Sequence, residues 1–257
     1  MTPSFKVAIP ARYGSSRLPG KPLRQLAGQT MIERVYRQAL ASGADEVVVA
    51  TDDPRIEAAV TAFGGTVCMT AVSHRSGTDR LAEVVAQRHW SDDTVVVNVQ
   101  GDEPLLPPAL IRQVAADLIE KPKAGIATAA TPIIDSEELF APQAVKVVLN
   151  QDGYALYFSR APIPFHRDRF ALDRTLPTDT GYLRHIGLYA YRAGVLRQYP
   201  QLPVCRIEQA EALEQLRAMW HGIGIYVRIV DQPPPAGIDT EVDLIRVEAL
   251  LEKGTQQ

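Results

Sequence analysis

Two arginines and a lysine stand among small and turn-forming residues in Pro10-Ala11-Arg12-Tyr13-Gly14-Ser15-Ser16-Arg17-Leu18-Pro19-Gly20-Lys21-Pro22. This segment directly follows the apolar run Phe5 to Ile9, which reads as a short strand. Small residues let the main chain approach a ligand closely, and N–H donors combined with fixed positive charge suit phosphate oxygens. A loop at the carboxyl end of a strand is also where open α/β sheets take ligands. The pattern fits a nucleoside triphosphate, with Lys21 and Arg12 neutralising phosphate charge and Arg17 either joining them or lying on the surface.

Acidic residues with complementary chemistry lie elsewhere. Asp102 sits in Gln100-Gly101-Asp102-Glu103-Pro104, after the apolar run Thr94 to Val99. A carboxylate there, behind a glycine that permits close approach, can hold Mg²⁺ against phosphate oxygens. Glu103 reads equally as part of a solvated turn. Asp239 is the candidate second carboxylate, or alternatively the cap of the closing helix. The Ser-Gly-Thr run at 76–78 has side chains small enough for main-chain groups to read the edge of a base. Thr51-Asp52-Asp53 and the segment Ser73 to Arg80 follow two further strand-like runs. Four polar segments at four strand ends are expected to face one crevice.

Several chemistries are disfavoured. No Gly-x-Gly-x-x-Gly opens the first helix, and there is neither a Gly-x-x-x-x-Gly-Lys-Ser/Thr loop nor a Gly-x-Ser-x-Gly elbow. The 5 histidines include no pair at zinc spacing. His185, at the end of Gly181-Tyr182-Leu183-Arg184-His185, reads either as a substrate contact or as a structural residue.

The elements that must position these groups alternate in the first half. Met31, Ile32, Val35, Tyr36, Ala39 and Leu40 recur at helical spacing and Gly43 ends the helix. Glu46 to Ala50 and Thr66 to Met69 read as strands, with an Asp53-capped helix between them and Gly64-Gly65 closing it. Ser76 to Asp79 precede a helix through Val85, and Pro107-Pro108 open another through Ile119. Repeated strand-helix units with β-branched strands imply a parallel sheet covered on both faces. After about residue 125 strands dominate: Gly125 to Ala130, Val145 to Leu149, Ala155 to Ser159 and Ile186 to Tyr191. Arg160 to Leu183 reads as a polar connection over the site. One helix is expected over Glu208 to Trp220, a strand over Tyr226 to Val230, and a last helix over Glu241 to Leu251.

The totals agree with this reading. The 257 residues are 46% apolar and 22% charged, with formal net charge −3, so neither nucleic acid nor an acidic membrane is an expected partner. No apolar run reaches the roughly 18 residues of a membrane span. Lys6 before a strand-length run ended by Pro10 leads us to expect no signal peptide. Cys68 and Cys205, far apart, read as small buried apolar residues in a reducing compartment.

Taken together, IPARYGSSRLPGKPL, ATDD, HRSGTDR, VNVQGDEP, YFSRAPIPF, RHIGLYAYR, ALEQLR and GIDT resemble the 3-deoxy-D-manno-octulosonate (Kdo) cytidylyltransferases, from about Phe5 to Leu250. The resemblance implies an α/β nucleotide-diphospho-sugar transferase fold with a mostly parallel central sheet and a smaller mixed-sheet extension. It implies one domain over 1–257, with a nucleotide-binding half (1–124) and a sugar-binding and dimerisation half (125–257). The implied activity is CMP transfer from CTP to Kdo by a Mg²⁺-dependent cytoplasmic homodimer serving lipopolysaccharide synthesis. A cytidylyltransferase for another acidic sugar, an 8-amino Kdo or a sialic acid, stays open, as does a non-catalytic nucleotide sensor on the same fold.

Carried over by motif, Pro10, Ala11, Arg12, Lys21, Ser76, Gly77, Thr78, Arg80 and Gln100 lie at the nucleotide. Lys21, Arg12, Asp102 and Asp239 act in catalysis, and Asp102 and Asp239 hold the metal. Gln100, Arg160, Arg167, His185, Tyr189, Glu214 and Gln215 surround the sugar acid. The chain departs from the family pattern at Cys205-Arg206-Ile207-Glu208, where Pro-Leu-Glu is expected, and at His166, where an acidic residue is expected.

Overall fold

The computed structural model describes residues 3–14, 17–74, 76–177 and 180–254. Ser15 and Ser16 of the first loop, Arg75 of the HRSGTDR stretch, and Thr178 and Asp179 of the polar connection lie outside the described residues.

The N-terminal stretch alternates as its pattern requires. Strand β1 spans Lys6–Pro10, and after a short hairpin (β2 Gln25–Leu26, β3 Gln29–Thr30) helix α1 spans Met31–Ala41. The Thr30 hydroxyl accepts the Glu33 N–H to cap α1, whose buried stripe is Met31, Ile32, Val35, Tyr36 and Ala39. Strand β4 (Glu46–Thr51), α2 (Pro54–Ala62), β5 (Thr66–Met69), α3 (Gly77–Gln87), β6 (Val95–Asn98) and α4 (Pro108–Glu120) follow. Asp53 caps α2 and Ser76 caps α3 through side-chain oxygens.

The later stretch holds β7 (Ala124–Pro132), α5 (Ser136–Phe140), β8 (Lys146–Leu149), β9 (Ala155–Ser159), α6 (Arg167–Phe170), β10 (Leu183–Arg192) and α7 (Ala193–Gln198). It ends with α8 (Arg206–Glu211), α9 (Gln215–Trp220), β11 (Gly224–Ile229) and α10 (Glu241–Gly254).

The chain forms two compact units. The first gathers Met1–Ala116, Tyr191–Pro200 and Pro234–Gln257; the second gathers Asp117–Ala190 and Gln201–Pro233. In the first, the strands run parallel in the order β6-β1-β4-β5. Val7, Ile9, Val47 to Ala50 and Val95 to Val97 are buried there, as the unbroken apolar runs demand of a parallel sheet. In the second, β11 pairs parallel with β7, β10 pairs antiparallel with β8, and β8 pairs antiparallel with β9. The α/β class with a mostly parallel sheet and a mixed extension is what the sequence pattern led us to expect.

One expected element is corrected. The helix read as continuous over Glu208 to Trp220 is two helices, α8 and α9, separated at Ala212, which has φ +50. Alanine is a strong helix former, so intrinsic preference did not mark this break. Both cysteines are buried and free. Among the described residues no helix is long and apolar enough to cross a membrane.

Candidate active site

The first loop is pinned from its apolar side. Leu18 is buried with Leu26, Met31, Ile238, Leu244 and Val247, so the basic residues on either side of it are held at the carboxyl end of β1. Gly20 turns the chain back with φ +66, and its N–H meets the Tyr13 carbonyl at 3.3 Å. Arg12 reaches across to the loop before α3, donating to the carbonyls of His74 at 2.8 Å and Ser76 at 3.1 Å.

Lys21 Nζ stands between two acids, 2.8 Å from Asp102 Oδ2 and 2.9 Å from Asp239 Oδ1. The two carboxylates therefore lie no farther apart than the sum of those distances. Arg17 adds a 3.1 Å contact to the same Asp239 oxygen. Main-chain geometry brings the acids together: the Ile238 N–H bonds the Asp102 carbonyl at 2.9 Å. Gly237 permits this approach, since a Cβ there would stand 3.1 Å from the Asp102 carbonyl oxygen. Gly101 plays the same part on the other side, where a Cβ would stand 3.0 Å from the Pro10 carbonyl oxygen. Asp239 is not the helix cap that its position also allowed. Thr240 takes that role, its hydroxyl accepting the Asp243 N–H at 3.3 Å. Asp239 is left to face the lysine.

Burial lowers the Lys21 pKa, but the hydrogen bonds and charges of Asp102 and Asp239 outweigh it and hold the ammonium above its ordinary value. Glu103 is half-buried in its turn, and burial, then the charge of Asp102, push its carboxyl up to about 7.

A cleft of about 370 Å³ opens here. Pro10, Ala11, Arg12, Lys21, Gly77 and Gln100 line it together with Asp102, which unites most of the residues expected at the nucleotide. Ser76 stands at its edge as the α3 cap, accepting the Asp79 N–H at 3.0 Å. Thr78 and Arg80 are buried in α3 instead. The Arg80 guanidinium contacts the Thr70 hydroxyl and pairs with Asp52 at 3.0 Å, behind the cleft wall.

Apart from Gln100, which lines the cleft, the residues expected around the sugar acid belong to the second unit. His185 and Tyr189 lie on β10 with ring centroids 5.2 Å apart, and Phe158 packs edge-on to His185 at 5.0 Å. The Thr128 hydroxyl donates to the Leu188 carbonyl at 2.7 Å, so it accepts from His185 Nε2–H at 2.9 Å. Burial, and the nearby charge of Arg184, push His185 down to about 3. Gln215 is buried at the start of α9 and Glu214 is exposed just before it. Arg160 donates to the carbonyls of Glu211 at 2.7 Å and Pro142 at 2.9 Å. Arg167 is the outlier, its side chain 89% exposed on α6 and paired only with the adjacent Asp168.

Among the described residues no group of three or more His, Cys, Asp or Glu gathers to hold a metal ion. The paired acids nonetheless fit a hard divalent cation, since Mg²⁺ takes one or two carboxylates and completes its octahedron with water and phosphate oxygens. In this structure Lys21 balances their charge.

Sequence reasoning missed the contacts that place these groups. The His74 imidazole against Glu83, across the loop that Arg12 grips, carries no motif of its own. Nor does Glu211 beside Arg160.

Comparison with known proteins agrees with this geometry. Residues 7–229 match the family model described as cytidylyltransferase. A 3-deoxy-manno-octulosonate cytidylyltransferase of Nitrosococcus oceani is 60% identical over 250 residues, 96% of each chain. One of Hahella chejuensis is 56% identical over 253 residues, covering 98% of this chain and 99% of the relative. A solved CMP:2-keto-3-deoxy-manno-octonic acid synthetase complexed with CTP superposes with a TM-score of 0.89 at 45% identity, covering 98% of this chain and 100% of that one. With a family model matching residues 7–229 and relatives 56–60% identical over nearly the whole chain, the chain belongs to the cytidylyltransferase family, in the 3-deoxy-manno-octulosonate branch.

Proposed function

We infer that the protein transfers CMP from CTP to Kdo, giving CMP-Kdo and pyrophosphate. The observation that carries this reading is Lys21 between Asp102 and Asp239 at the mouth of a cleft of nucleotide size. The near-full-length likeness to cytidylyltransferases of that substrate supports it.

The anomeric hydroxyl of the sugar acid attacks the α-phosphorus of CTP, the bond to the β-phosphate oxygen breaks in line, and pyrophosphate leaves. Such transfers depend mainly on positioning and on neutralising charge. Arg12 and Lys21 supply positive charge to the triphosphate, with Pro10, Ala11, Ser76, Gly77 and Gln100 shaping its seat. Thr78 and Arg80 support that seat from within α3. Asp102 and Asp239 would hold Mg²⁺, which when bound neutralises phosphate charge and lowers the pKa of a hydroxyl it touches. Arg160 or Arg167 would fork the acid's carboxylate, and His185, Tyr189, Glu214 and Gln215 would surround the rest of the sugar. We place the reaction in the cytoplasm, at the sugar-activation step of lipopolysaccharide synthesis, and take the working form to be a homodimer.

A pyrophosphate-release assay with Mg²⁺ tests the reading across CTP, UTP, ATP and GTP, each paired with Kdo, 8-amino Kdo or a sialic acid. Release with CTP and Kdo well above every other pair is expected. Equal or faster release with another acid would move the substrate assignment to that acid. No release with any pair would overturn catalysis and leave a nucleotide sensor.

A further inference from the structure

Three of the side chains expected around the sugar acid lie close in sequence or space to a residue that is not among them. The break between α8 and α9 falls directly after Glu211, where Ala212 takes the left-handed conformation at φ +50, a region unfavourable to a residue with a Cβ. Glu214 and Gln215 follow within one turn.

At this break Glu211 accepts three hydrogen bonds, two from Arg160 and one from its neighbour Ser159. Its carboxylate accepts the Ser159 hydroxyl at 2.6 Å and the Arg160 main-chain N–H at 2.9 Å. Its own carbonyl accepts Arg160 Nε at 2.7 Å. The fully buried Lys146 closes the arrangement from β8, donating to the carbonyls of Arg160 at 2.6 Å, Ala144 at 2.5 Å and Ala141 at 2.9 Å. Both main-chain polar groups of Arg160, and the inner nitrogen of its guanidinium, are thereby fixed. The other side-chain contacts of Arg160 are carbonyls, Pro142 at 2.9 Å and Ala212 at 3.4 Å. Among the described residues no side-chain carboxylate pairs with that guanidinium, so an oriented fork keeps its charge for an external anion.

We propose that Glu211 is a positioning residue for sugar-acid recognition, holding Arg160 so that its guanidinium is aimed at the substrate carboxylate. A carboxylate is needed because it accepts at both ends, toward Ser159 and toward the Arg160 N–H, whereas an amide accepts at only one. The strained turn at Ala212 persists because it lets the Glu211 side chain and carbonyl face the same arginine. This rests on the reading that Arg160 meets the acid.

The test is steady-state kinetics on the full chain with CTP, Kdo and Mg²⁺, comparing wild type, Glu211→Gln, Arg160→Ala and the double variant. Glu211→Gln is expected to raise KM for Kdo about tenfold while KM for CTP stays within about twofold, as misplacing a positioning group does. In the Arg160→Ala background it is expected to add almost nothing, because the two act as one unit. Should the Glu211→Gln chain not fold, Ser159→Ala carries the same test with a smaller shift in the same direction. An unchanged KM for Kdo, an equal rise in both KM values, or effects that multiply in the double variant would overturn the proposal while Arg160→Ala still weakens Kdo. If Arg160→Ala itself leaves KM for Kdo unchanged, the reading of Arg160 falls and the proposal with it.

Discussion

Asp102 and Asp239 face a single ammonium, and this decides what each charge is worth. Asp102→Asn leaves the shape of the site but removes a hard anionic ligand, so turnover is expected to fall by about a hundredfold or more while the melting temperature stays near that of wild type. A turnover within a few-fold of wild type would remove Asp102 from the metal site. Lys21→Met acts in the opposite direction on the resting protein. Without Lys21 only Arg17, on Asp239, would offset the two acids, so metal-free protein is expected to melt lower and to recover more on adding Mg²⁺ than wild type does. Its turnover is expected to drop about a hundredfold or more through lost stabilisation of the departing phosphates. Calorimetry with and without Mg²⁺ reads the first effect and pyrophosphate release the second.

At the scale of elements, the approach of the last helix to the loop after β6 sets the spacing of the acids. The Ile238 N–H to Asp102 carbonyl bond and the absence of a side chain at Gly237 hold that approach. Gly237→Val would press on the Asp102 carbonyl and on Glu103, whose Cγ is 3.3 Å from the position of a Cβ. An activity loss of about tenfold or more is expected, with CTP binding by calorimetry changing far less. Most elements were legible in the sequence because their apolar residues repeat at the strand or helix period and their caps are chemically explicit: Thr30, Asp53 and Ser76. Asp102 was legible too, since a glycine and an acid after an apolar strand imply a ligand end. The division of α8 from α9 was not, because Glu208 to Trp220 is helix-compatible throughout and nothing in it marks Ala212 for the left-handed conformation. Arg80 was hidden for a related reason. A basic residue in a nucleotide-side motif reads as a ligand contact, and the sequence carries no sign of its complete burial beside Asp52 and Thr70.

For the molecule as a whole, the second unit carries a neutral histidine into a place where protonation is opposed. The folded-state pKa of His185 lies near 3 against an ordinary value of 6.5. Below 6.5 the unfolded chain binds a proton that the folded chain refuses, so stability is full above that pH and declines as pH falls toward 3. Replacing the group with one that cannot titrate, His185→Gln, is expected to flatten this acid limb in a series of melting temperatures from pH 7 to pH 4. An unchanged slope would place the acid sensitivity elsewhere. No periodicity in the sequence foretold how the chain divides, since the first unit takes back Tyr191–Pro200 and Pro234–Gln257 after the second has formed its sheet.

That late return matters for how the protein is made. Lys21 and Asp239 stand 218 positions apart, so a ribosome must finish almost the entire message before this ion pair exists. A nascent chain stalled at the Pro233-Pro234-Pro235 run already has its parallel strands and basic loop, yet carries only one of the two acids. Such a fragment also lacks Ile238, Leu244 and Val247, the side chains that hold Leu18 and with it the basic loop in place, so neither half of the site is set until the last helix is added.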